Sequence, residues 1–146
     1  MGIREMKGAG IAVDTCAGLK AGERAVIITD TEKMPIAEYV AAACWERGAE
    51  PVMVVMLPRK ADGEEPPASA AEALKHADVI FAVTDRSLYH TVARKEACAT
   101  GARFVNMPDY SMDMLVTGGL YEDFRPDALS PTVWQVCSPK APASEW

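Results

Sequence analysis

The chain has 146 residues, 49% of them hydrophobic and 25% charged, with a net charge of -6 and a pI near 4.9. This length suits a single domain that buries roughly two-thirds of its unfolded surface, and no run of about 18 apolar residues is present to span a bilayer. The acidic balance argues against nucleic acid, which is held by clustered Lys and Arg; Arg59 and Lys60 are answered at once by Asp62, Glu64 and Glu65.

In chain order, Ile3, Met6, Gly10, Val13 and Ala17 share one helical stripe. This predicts an opening helix over 3–17, closed by Gly18 in the left-handed conformation. The β-branched run RAVIIT predicts a strand over 25–29. Pro35 suits a first helical turn, and Ile36, Tyr39, Val40, Ala43 and Cys44 follow the amphipathic pattern until Gly48. VMVVML, residues 52–57, is apolar at every position, as expected of a central or nearly central parallel strand covered on both faces.

PRKADGEEPP, residues 58–67, reads as a surface loop, and Pro66 and Pro67 introduce a short alanine-rich helix to about His76. A strand is expected over 79–83, a helix from Ser87 to Thr100 ended by Gly101, and a strand over 103–107. Beyond Pro108 the pattern weakens. Met112, Leu115 and Val116 suit one face of a short helix, four prolines punctuate 124–146, and 132–136 suits a further short strand. Alternating strands and helices imply an α/β fold, a three-layer Rossmann-like domain. Its sheet is expected to be mainly parallel, of about four strands in the order 2-1-3-4.

Ligands of such sheets bind at the carboxyl ends of the strands. The candidate ligand-binding residues are therefore Thr29, Asp30, Thr84, Asp85 and Ser87, with Thr31, Arg86 and 108–111 nearby. The plainer reading of Asp85 and Ser87 is helix capping, favoured for Ser87. Gly8 and Gly10 begin like a dinucleotide fingerprint, but Val13 replaces the third glycine and no strand precedes it, so packing is the expected role.

Asp85, Ser87 and His90 are the residue types of a hydrolytic triad, yet they lie within one turn, whereas a triad draws its members from separate elements. His90 is read instead as a helix-face packing or hydrogen-bonding residue and His76 as a helix C-terminal one. With two histidines and no HExxH, neither a metal site nor a catalytic residue is expected from this chain. Cys16, Cys44, Cys98 and Cys137 contain no CxxC pair, so at least three are read as small buried hydrophobes and not as a disulfide framework. The methionines, Met53, Met56, Met107, Met112 and Met114 among them, read as core filler or interface residues. The N-terminus has no signal-peptide core, and Met6 stands where myristoylation requires Ser or Thr, so a cytoplasmic protein is expected.

Four segments together carry a family resemblance: LKAGERAVIITD, WERGAEPVMVV, EPPASAAEALKHADVIFAVTDRSLYHTVARKEACATGARFVNMP and SMDMLVTGGLYED. Over about residues 5–123 the chain resembles the N-terminal lobe of the aminopeptidase T, or thermophilic leucyl aminopeptidase, family. The resemblance implies an α/β lobe followed by a larger domain bearing the Glu, His, Tyr and Asp ligands of a two-metal peptidase site, with zinc or cobalt the metal of a full-length relative. Relatives include ring-cleaving dihydroxypyridine dioxygenases. None of those ligands has a counterpart here, so no catalytic position carries over and the isolated chain is expected to be inactive.

Residues 1–123 are read as this lobe and 124–146 as a proline-rich divergent tail, where prolines oppose the long helix that the family would continue. A truncated or frame-shifted reading and a naturally shortened relative account for this departure equally. The alternatives are a non-enzymatic small-molecule-binding or assembly module and a lobe of the dioxygenase type. The partners considered are a small-molecule or peptide ligand and a second copy in a homodimer.

Overall fold

The computed structural model describes residues 3–11, 13–14, 18–107 and 135–137. Its elements are α1 (Ile3–Ile11), β1 (Arg24–Asp30), α2 (Met34–Glu46), β2 (Glu50–Met56), α3 (Ala68–Leu74), β3 (Val79–Val83), α4 (Val92–Ala99), β4 (Arg103–Asn106) and β5 (Gln135–Cys137). The sheet order is β2-β1-β3-β4-β5. The first four strands are parallel, as expected from the alternation of elements, and β5 adds to β4 antiparallel. The strand expected near 132–136 is thus present, one residue further along at its end. The 108–111 turn and the helix around Met112 to Val116 lie outside the described residues, as do the side chains of Cys16 and Cys137.

Side chains alternate across the pleat, so each strand feeds two cores. Ala25, Ile27, Val79, Phe81 and Val83 meet Ile36, Val40, Ala43 and Cys44 of α2, together with Ala9 of α1 and Val13. On the opposite face Val26, Ile28, Ile80, Ala82 and Phe104 meet Ala70 and Leu74 of α3 and Ala93, Ala97 and Cys98 of α4. Helices on both faces complete three layers, and β1 and β3, buried throughout apart from Arg24, are the central strands.

Several expectations are corrected. β2 is an edge strand, with Val52 and Val55 exposed, as is Leu57 just after it. An unbroken apolar run is compatible with coverage on both faces, but the same run arises when an edge strand keeps its apolar side chains uncovered. α4 begins at Val92 and not at Ser87, because Thr91 takes the cap position, its hydroxyl accepting the Arg94 amide at 3.1 Å. His90 therefore precedes the helix; it is exposed and stacks edge-on against Tyr89 at 5.3 Å. Cys44 is a buried free thiol, but Cys98 is disulfide-bonded, a pairing in space that linear spacing does not display.

Two glycines have clear spatial reasons. Gly48 ends α2 at φ 82°, where a side chain would be strained. Gly10 lies beneath Arg47, whose Nη2 is 2.7 Å from where a Cβ would stand. Arg47 then reaches Asp14 through Nε at 2.6 Å and Nη2 at 2.9 Å, tying α2 to the residues after α1. The packing role expected of Gly10 is what the structure contains.

Candidate functional site

The chain runs from β1 outward to β2 and then returns to β3 on the other side of β1. The carboxyl ends of β1 and β3 thus flank the topological switch point, where diverging connections leave a crevice. Four of the five nominated residues meet there. Thr29 and Asp30 end β1, and Thr84 and Asp85 follow β3.

Asp30 is fully buried. Its Oδ1 accepts the amides of Glu32 at 3.0 Å and Lys33 at 2.9 Å, shaping the turn into α2. Its Oδ2 accepts the Asp85 amide at 2.7 Å, bridging from the β1 turn to the β3 turn. Beside it, the Thr29 hydroxyl donates to the Val83 carbonyl at 2.7 Å and the Thr84 hydroxyl to the Arg86 carbonyl at 2.6 Å. The crevice is therefore laced from within. Thr31, Glu32 and Arg86 face outward at its rim, with the Asp85 carboxylate partly exposed.

Ser87 belongs to a neighbouring cluster. Its hydroxyl accepts the Tyr89 amide at 3.3 Å and the Asn106 side-chain amide at 3.0 Å, and its own amide donates to Asp62 at 2.9 Å. It neither caps α4 nor joins a triad, since these bonds hold it against the 58–67 loop and the end of β4. That loop also supplies Glu65, whose carboxylate accepts the amides of Val92 at 2.8 Å and Ala93 at 3.1 Å. The free amides that make a helix N-terminus attractive to anions are thus met by the protein's own carboxylate.

Arg94 was not nominated from the sequence, and it is the most unusual polar residue in the region. It is fully buried, its Nε donates to the Tyr89 carbonyl at 2.6 Å, and its guanidinium lies 4.4 Å from the centre of the Tyr89 ring. Nη1 and Nη2 are buried without a hydrogen-bond partner among the described residues. Burial pulls its pKa below the ordinary arginine value, opposed by Tyr89. A sequence signal existed, because Arg94 sits one turn before Ala97 and Cys98, on the stripe of α4 that faces the core.

Among the described residues no three His, Cys, Asp or Glu side chains are grouped to hold a metal ion. His76 and His90 are exposed, and Asp30 is committed to backbone amides. The described side chains do not fit the two-metal centre implied by the family resemblance. Nor is any described helix long and apolar enough to cross a membrane.

No protein-family profile matches the sequence, and no curated protein does so. Among solved structures, the chain is similar to 2,5-dihydroxypyridine dioxygenase from Pseudomonas putida KT2440, with a TM-score of 0.54 and 14% identity. The match covers 68% of this chain and 32% of that one, so the chain spans about a third of the dioxygenase's length. At this identity the likeness establishes a shared α/β fold.

Proposed function

We propose that this chain is the α/β lobe of a protein of the aminopeptidase T and dihydroxypyridine dioxygenase kind, acting as a scaffold and supplying no metal ligands. The observation that carries the reading is the inward commitment of the switch-point polar groups. Asp30 and Thr29 spend hydrogen bonds on joining strand ends, and the Thr84 hydroxyl is spent on closing its own turn. A catalytic crevice instead directs such groups toward a reactant. The likeness to a dioxygenase lobe supports the fold assignment that underlies this reading. In a longer relative, zinc or cobalt would be bound by another domain. Purified as these 146 residues, the chain is expected to contain no stoichiometric zinc or cobalt and to leave leucyl-anilide substrates intact. Stoichiometric metal with leucyl-anilide hydrolysis would overturn the scaffold role.

A second reading, a small-ligand module, is favoured by Arg94. A buried guanidinium whose Nη atoms have no partner among the described residues is costly unless an oxyanion satisfies it. A carboxylate-bearing amino acid or dipeptide is the matching chemistry, and a ligand bound only by the native state raises its melting temperature. Thermal-shift measurements with amino acids, dipeptides and pyridine diols should then show a carboxylate-dependent rise that Arg94→Gln abolishes. Equal shifts in the two proteins, or none at millimolar ligand, would remove this reading.

A further inference from the structure

Among the described residues, no strand pairs with the outer edge of β2. A residue in a parallel strand sends its amide and carbonyl to the same side. The Glu50 amide donates to the Glu23 carbonyl and the Met56 carbonyl accepts the Thr31 amide, so Glu50, Val52, Val54 and Met56 face β1. Pro51, Met53 and Val55 direct their backbone groups outward, with Leu57 next in the same alternation. Proline lacks an amide, and at an outward position this costs the ladder nothing.

The side chains add a second constraint. Val54 and Met56 pack toward α3 and α4, whereas Met53 packs toward α1 and α2. By alternation Val52 lies on the first face and Val55 on the second. Both are exposed, at 52% and 43%, as is Leu57 at 70%. A molecule lying on one face of the sheet leaves the other side uncovered. A strand added edge-on covers both.

We propose that β2 is a dimerisation edge, pairing antiparallel with β2 of a second copy about a two-fold axis at Val54. Met53 then lies opposite Val55 of the second copy, each exchanging amide and carbonyl bonds, and the Leu57 amide reaches the opposing Pro51 carbonyl. About six interchain hydrogen bonds result. The absent Pro51 amide falls opposite the Leu57 carbonyl, which already accepts Arg59 Nε at 3.3 Å and Nη2 at 3.2 Å. Every outward group therefore has a partner. Moving the axis to Met53 would place the Val55 carbonyl opposite Pro51 with no donor.

The same register sets Val54 against its own copy, Val52 against Met56, and Met53 against Val55, so apolar side chains meet on both faces. It also brings Glu50 to the strand end beside Arg59 of the second copy. This hydrogen-bond and charge match under a two-fold axis makes a second copy the occupant, and it leaves the two sheets continuous.

Sedimentation of the full chain tests the proposal, with the expected species at twice 15.7 kDa. Val55→Pro removes an outward amide that β1 does not use and should weaken association by about tenfold or more, with the far-ultraviolet circular dichroism retained. Because that variant risks misfolding, single cysteines give a second readout. On oxidation Val54→Cys should cross-link the dimer, its partner being its own copy, whereas Val52→Cys and the unmodified chain should not. A monomer at every concentration would overturn the proposal. So would a dimer indifferent to a folded Val55→Pro, or equal cross-linking through residues 52 and 54.

Discussion

Asp30 shows how much one side chain can do once its surroundings are closed. A buried carboxylate is tolerated when amides satisfy it, and here amides from two different strand ends converge on it. Asp30→Ala should destabilise the protein by about 3 kcal/mol, because the amides of Glu32, Lys33 and Asp85 lose their acceptor together. Asp30→Asn keeps one acceptor oxygen and should cost less, and urea melts of the two variants check the order. Cys44 makes a different prediction. Burial pushes its thiol up from 9.0 to about 12, outweighing the opposing effect of Arg47. The folded pKa lies above the unfolded one, so this group's stabilising contribution is complete below pH 9 and is lost as the pH rises toward 12. Native Cys44 should accordingly resist thiol reagents at pH 8 and react once the chain is unfolded in denaturant.

Among the elements, α4 illustrates a start chosen by tertiary contacts. Ser87 was an acceptable cap by residue type, but Asn106 and Asp62 engage it, and the helix begins five residues later behind Thr91. Glu65 reinforces that start from a distant loop. Thr91→Ala and Glu65→Ala should each cost about 1 kcal/mol. Because Glu65 holds the Val92 and Ala93 amides and Thr91 the adjacent Arg94 amide of one helical turn, the double variant should depart from additivity. A thermodynamic cycle from chemical denaturation measures that coupling, and strict additivity would mean that the loop and the cap act independently. β2 teaches the complementary lesson: its apolar composition was evident in the chain, whereas its uncovered edge follows from sheet order.

For the whole molecule, the order β2-β1-β3-β4 places β1 and β3 at the centre, flanked by two separate cores. Amide exchange should consequently be slowest in Ile27, Ile28, Ile80 and Phe81, approaching the rate set by global unfolding. Exchange there as fast as in α1 would contradict a cooperative centre. Strand-end geometry nominated Thr29, Asp30, Thr84 and Asp85, and the fold does bring them together. What it makes of them is a clasp across the switch point, with Arg94 buried nearby and its Nη atoms without a partner among the described residues.

Local chemistry was sufficient for the element types and for a mainly parallel sheet, because hydrophobic period and chain alternation are written within a few residues of one another. It was also sufficient to place the polar turns at one end of the sheet. The start of α4, the exposure of β2, the disulfide at Cys98 and the burial of Arg94 depended on residues distant in sequence. Each is a question of which groups compete for one hydrogen bond or one patch of surface, and only the assembled layers determine the competitors.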